Sequence, residues 1–252
     1  MLDKDEQKTL NQIVANKYMK KTIELIDNYI AIYNGNVKDA CVSVFDELYN
    51  ILNNAKPYVD KYLKKRKLQG EIKDEKQALK SIAGNSFSQA LIYIFLKNKE
   101  VNNIKSNIYI TSKLSKIPSY KDICIIDVDG ETQKPDCDIV IYSLNVDKKL
   151  KKCIILSLKT SLRERAGQTY KWKLLMEIAT TDNIIKEKYN IKYNPEVIPL
   201  VAFVTVNFYN EINNPQHRGM FKFFDKSFIA KDVNAEFISK MSTFVNYINE
   251  NL

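Results

Sequence analysis

Two carboxylates, a serine and a lysine are spaced along two apolar stretches in a way that suits phosphodiester hydrolysis. One stretch reads Pro135-Asp136-Cys137-Asp138-Ile139-Val140-Ile141-Tyr142, the other Cys153-Ile154-Ile155-Leu156-Ser157-Leu158-Lys159. Both are short, β-branched and bounded by turn residues, so they are predicted as neighbouring strands. Side chains alternate along a strand, which puts Asp136 and Asp138 on one face and Ser157 and Lys159 on one face. Paired carboxylates can hold a hard divalent cation through oxygen. A nearby lysine can orient or activate a water and offset phosphate charge. Asp136, immediately after Pro135, and Asp138 compete for the main ligand position. Without further signal, the same residues also read as the solvated ends of two ordinary strands.

The elements that must position these groups follow from periodicity. Apolar residues from 1 to about 105 recur at three- and four-residue steps, which predicts a helical N-terminal lobe. Ile13, Val14, Tyr18, Ile23, Ile26, Tyr29 and Ile30 form one such series, and Val44, Phe45, Leu48, Tyr49 and Leu52 a second. Pro57 suits the first turn of a further short helix, which ends in the run Lys61 to Lys67 and closes at Gly70. That run reads as a solvated helix end or as a phosphate-tracking patch. A longer helix from Glu71 to Leu96 is expected to break or restart near Ala83-Gly84-Asn85-Ser86. From about residue 107 the period shortens. Strands are predicted around 108–110, 123–126, 139–142 and 153–159, with a buried central strand over Pro199 to Val206. Tyr170 to about Lys188 is predicted helical, Phe221–Phe224 and Phe228–Ile229 add strand, and Ala235 to Ile248 closes the chain as a helix. The expected class is α/β, with residues 1–105 as the helical lobe and 106–252 as the core carrying the chemistry.

Bulk composition narrows the function classes. The 252 residues are 45% hydrophobic and 27% charged, enough for a sizeable core. Lys and Arg number 39 against 30 Asp and Glu, a formal charge of +9 that suits a polyanion such as nucleic acid. His217 is the only histidine, which argues against a Ser-His-Asp triad or a histidine-based metal site. Four cysteines without a CxxC pair predict free thiols in a reducing cytoplasm rather than zinc. No apolar run reaches membrane-spanning length, and the acidic start is unlike a signal peptide, so a soluble cytoplasmic protein is expected.

Pro135-Asp136 followed after 23 positions (159 − 136) by Ser157-Leu158-Lys159 resembles the PD-(D/E)XK nuclease motif. The longer stretch Ser157-Leu158-Lys159-Thr160-Ser161-Leu162-Arg163-Glu164-Arg165 is similar to Type II restriction endonucleases of the BsaWI and EcoRII kind, including those that cut around CCGG or CC-N-GG centres. Asn214-Pro215-Gln216, Arg218-Gly219 and Phe223-Phe224-Asp225 resemble the same enzymes. The likeness spans roughly residues 80 to 230 and leaves out the helical first third. It implies a PD-(D/E)XK core, a mixed central sheet flanked by helices. It also implies Mg²⁺-dependent cleavage of double-stranded DNA by a homodimer at a short, palindromic, G·C-centred site.

The sequence departs from the pattern at Ser157, where an acid is expected. In the CCGG-type relatives that acid migrates to the helix after the lysine, which makes Glu177 the candidate here. The resemblance also implies that Arg163, Glu164 and Arg165 enter the major groove. The chemistry agrees, since arginine bonds guanine O6 and N7, and a carboxylate accepts from cytosine N4. The rival reading of these three is a self-neutralising surface cluster. Gln168, Tyr170, Lys171 and Lys173 are candidates for phosphate contacts. Gln216, His217 and Arg218 form either a second groove-facing loop or a plain turn. Two other functions remain open: a DNA-binding protein with a decayed nuclease core, and a repair or structure-specific nuclease on the same fold.

Overall fold

The computed structural model describes residues 2–134, 137–162, 164–209, 211–233 and 235–252; the side chains of residues 76, 164–166 and 216 also lie outside the description. In chain order the elements are α1 (Lys4–Ala15), α2 (Lys20–Ile32), α3 (Val37–Ser43), α4 (Leu48–Leu68), α5 (Glu75–Glu100), β1 (Ile108–Thr111), α6 (Tyr120–Cys124), β2 (Ile126–Val128), β3 (Glu131–Gln133), β4 (Ile139–Leu144), β5 (Leu150–Lys159), α7 (Glu164–Thr180), α8 (Ile184–Lys188), β6 (Ile191–Lys192), β7 (Leu200–Thr205), α9 (Pro215–Phe221), β8 (Lys226–Ile229), β9 (Ser239–Lys240) and α10 (Phe244–Asn251). They form two compact units. The first is Met1–Ser106 with Ile229–Asn234 and Lys240–Asn249; the second is Asn107–Phe228 with Ala235–Ser239 and Glu250–Leu252.

The first unit is helical. Asp3 and Glu6 form a reciprocal capping box at the start of α1. Glu6 is buried and its carboxylate meets the buried Lys99 ammonium of α5 at 2.5 Å. Helix α5 is continuous from Glu75, correcting the expected break near residue 84. From Ala90 to Leu96 it is buried on all sides, so it serves as the unit's central helix. Gly84 costs about 1 kcal/mol within a helix. Burial of two turns of large apolar residues, at roughly 1.5–3 kcal/mol each, outweighs that loss. Pro57 likewise lies inside α4 rather than at a helix start. The helix continues past it because Ile51, Leu52 and Ala55 before it and Val59 and Leu63 after it are all buried.

The second unit carries the six-stranded sheet, in the order β1-β4-β5-β7-β8-β9. Strand β4 runs antiparallel to β1 and β5, whereas β5 and β7 are parallel. The sheet is therefore mixed and flanked by helices, the arrangement that the resemblance implies. Parallel neighbours need a crossover, and α7 lies in the chain between β5 and β7. Residues 153–159 of β5 and 201–205 of β7 are buried throughout, as suits central strands. A second, three-stranded sheet has the order β3-β2-β6.

Four local expectations change in this part of the chain. The predicted strand at 123–126 is the end of α6 followed by β2. Residues 221–224 are the end of α9 and a turn, with the strand following as β8. The helix expected from 170 to 188 is two helices, because Asn183 caps the second (Lys186 N–H to Asn183 Oδ1, 2.9 Å) and donates to the Ile178 carbonyl at 2.9 Å. The closing helix begins only at Phe244, after β9.

Candidate active site

The ends of β4 and β5 bring Asp138 to Lys159. Ile139 faces Leu156 in the antiparallel register, so the same register places Asp138 opposite Ser157 and on the face that Lys159 shares. The Asp138 N–H donates to the Leu156 carbonyl at 3.2 Å. Its carboxylate Oδ2 accepts from the Leu158 N–H at 2.7 Å and from the Lys159 ammonium at 3.1 Å. A side chain thus carries a ladder-type hydrogen bond where β4 begins, which holds the carboxylate against the strand bearing the lysine. Lys159 is only 9% exposed, while Asp138 keeps 31% of its side chain open to solvent. A desolvated cation beside a half-open carboxylate is an arrangement that can receive a phosphate and a water.

Ser157 is buried and its hydroxyl donates to Thr169 Oγ1 at 3.2 Å, so it fastens α7 to β5. Asp136 and Arg163 lie outside the described residues, as do the side chains of Glu164, Arg165 and Gln216. Glu177 is not brought to the Asp138–Lys159 pair. It lies eight residues beyond Thr169 (177 − 169), about 12 Å along the helix, is 53% exposed, and pairs with Lys173 at 3.1 Å. Lys173 also bonds Asp225, at 2.9 Å. The Asp225 carboxylate in turn accepts from the Val201 N–H at 2.7 Å, and Val201 pairs with Ile155, four positions before Lys159. The Lys173 cluster therefore sits roughly 13 Å back along β5 from Lys159.

Buried and doubly ion-paired, the Lys173 ammonium is committed inside the fold rather than offered to a phosphate. Gln168 and Lys171 are exposed on α7, and Tyr170 stacks on Phe223 with ring centroids 5.2 Å apart. His217 and Arg218 lie on α9, a helix opened by Pro215 where a loop or turn was expected. His217 Nδ1 is 3.0 Å from the Glu211 carbonyl, and the Arg218 guanidinium lies over the Phe237 ring.

None of the four cysteines forms a disulfide. Cys124 and Cys137 have sulfurs 3.8 Å apart beside the acidic segment, and the contact with Cys137 holds the Cys124 thiol below its ordinary pKa. Burial pushes Cys153 up to about 12. The Lys173–Asp225 pair and Glu211 escaped sequence reasoning. Their partners lie about 50 positions away, and no local spacing marks them.

A family model described as BsaWI restriction endonuclease type 2 matches residues 100–251, well over half of the chain. The chain belongs to this restriction endonuclease family. A search of the curated proteins gives no match. The endonuclease is accordingly a type II site-specific deoxyribonuclease, and the matched region holds both strands of the Asp138–Lys159 pair. Restriction endonucleases generally use divalent metals. No group of three metal-ligating side chains is gathered among the described residues. The Asp138 carboxylate, partly open at a strand end, offers the kind of oxygen donor that a hard divalent cation takes. No helix among the described residues is long and apolar enough to cross a membrane.

Proposed function

We propose that this endonuclease cuts both strands of duplex DNA at a short, palindromic, G·C-centred site, as a Mg²⁺-dependent homodimer in the cytoplasm. The observation that carries the reading is the Asp138–Lys159 contact at the mouth of β4 and β5. Asp138 and, by its place in the motif, Asp136 would hold the cation, which supplies charge stabilisation to the phosphate and a more acidic bound water. Lys159 orients the attacking water and offsets the charge that develops on the phosphate oxygens. Asp138 holds the ammonium in place for both tasks. The segment Arg163–Arg165 follows Lys159 by four to six positions in the chain, and α7 begins at Glu164, so base reading falls close to the strand that cuts. Gln168 and Lys171, exposed on α7, contact the phosphate backbone. Arg218, exposed on α9, is a further phosphate contact.

The first unit clamps the duplex or joins two copies. Its basic run is partly neutralised, because Arg66 pairs with Glu71 at 2.6 Å and Lys67 with Glu75 at 3.9 Å. Lys61, Lys64 and Lys65 remain as exposed cations facing solvent.

Incubation with plasmid DNA and Mg²⁺ is expected to give discrete fragments, and Lys159→Ala to abolish them while duplex binding persists. A wild-type protein that binds duplex with a steep salt dependence but cuts in no divalent cation would mark a decayed nuclease instead. Cleavage confined to flaps or ends would mark a structure-specific one.

A further inference from the structure

The turn between β5 and α7 is gripped from outside by a carboxylate. Glu211 Oε2 accepts from the Leu162 N–H at 2.8 Å and from the Ser161 hydroxyl at 3.1 Å. Ser161 and Leu162 stand two and three positions beyond Lys159 and directly before Arg163. Thr160, the residue between, accepts at its carbonyl from the Phe208 N–H at 3.1 Å. Three successive residues of the turn are thus fastened to the segment that follows β7.

That segment is itself held firmly. The Glu211 N–H donates to Asn207 Oδ1 at 2.8 Å, and its carbonyl meets His217 Nδ1 at 3.0 Å. Asn207 is buried with φ 48°, a left-handed conformation that asparagine adopts more readily than other non-glycine residues. Its N–H donates to Thr205 Oγ1 at 2.9 Å, and Thr205 is the residue of β7 that faces Lys159. The grip therefore starts beside Lys159 on one strand and returns to the chain just after Lys159 on the other.

We propose that Glu211 is a positioning residue that fixes Ser161 and Leu162, and so sets how the chain leaves Lys159 to enter α7. It couples base reading to strand cleavage without touching DNA. This rests on the reading of Arg163–Arg165 proposed above. A carboxylate suits the task because one oxygen accepts both a main-chain and a hydroxyl donor, and bonds to a charged acceptor are the stronger kind. The same oxygen, turned onto the main chain, is engaged in holding the turn.

The test first maps the wild-type cut site by run-off sequencing. Single-turnover cleavage is then measured on the mapped duplex and on duplexes with one base pair of the site changed. Glu211→Gln keeps an acceptor oxygen but loses the charge, and is expected to fall between wild type and Glu211→Ala in rate and discrimination. Glu211→Ala is expected to lose roughly tenfold to hundredfold in rate on the mapped site, the loss appropriate to bonds with a charged acceptor. It should lose less on the changed sites, so discrimination shrinks, and in a parallel steady-state measurement kcat should fall more than KM rises.

Equal loss on all duplexes with no rescue by glutamine would overturn the proposal, and so would an alanine variant indistinguishable from wild type. Should Glu211→Ala fail to fold, Ser161→Ala removes one of the two bonds and is expected to narrow discrimination by a smaller factor. Unchanged discrimination in that variant would overturn the proposal as well. Wild-type protein that cuts no duplex sinks the proposed function and this inference with it. Wild-type cleavage with unaffected Glu211 variants sinks the inference alone.

Discussion

At the scale of single residues, reach separates Asp138 from Glu177. Asp138 Oδ2 lies 3.1 Å from the lysine ammonium, whereas Glu177 is spent on Lys173 at 3.1 Å, more than two helical turns beyond the residue that touches Ser157. Asp138→Asn removes the charge that holds the lysine and is expected to slow plasmid cleavage by roughly a hundredfold or more, the range for losing a group that acts on proton transfer or charge. Glu177→Gln breaks a half-exposed ion pair worth about 0–1 kcal/mol and is expected to leave the rate within about threefold. Single-turnover cleavage of supercoiled plasmid in Mg²⁺ compares the two. A dead Glu177→Gln beside an active Asp138→Asn would reverse the assignment. The serine at 157 is consistent with this division, since its hydroxyl is engaged with Thr169 as a packing contact.

At the scale of elements, α7 is held on the sheet at two points. Ser157–Thr169 fastens its first half, and Lys173–Asp225 fastens its second half to the start of β7. Asp225→Ala leaves a buried ammonium short of a partner and the Val201 N–H without its carboxylate. A loss of about 2–4 kcal/mol is expected, seen as a lower urea midpoint at unchanged slope. Lys173→Met, which removes the charge and keeps the volume, is expected to cost less than Asp225→Ala. The reverse order would mean that the pair stabilises through attraction rather than by avoiding an orphaned charge. Several elements departed from local expectation for the same kind of reason. Pro57 and Gly84 both signal a break, yet α4 and α5 run through them because buried side chains on either side favour continuity. Asn183 divides a periodic apolar series because its side chain bonds both the outgoing and the incoming turn.

At the scale of the whole molecule, one Asp138–Lys159 site per chain can address one strand of DNA, so cutting both strands of a palindrome calls for a two-fold pair. Sedimentation with duplex bearing the mapped site is expected to show two copies of the 29.3 kDa chain per duplex. A single copy that accumulates nicked plasmid would count against the dimer. The sequence by itself determined the family, the mixed class and the strand that carries Lys159. Those rest on motif spacing and on unbroken apolar runs, and both are local properties of the chain. It could not choose between Asp136 and Asp138, and it placed Glu177 by analogy. Only the tertiary structure showed Asp138 against Lys159, Lys173 turned inward to Asp225, and Glu211 closing on the turn 49 positions before it in the Leu162 contact. Each of these depends on strand register and on helix docking across 20 to 50 residues, and periodicity within a short window carries no information about which distant groups meet.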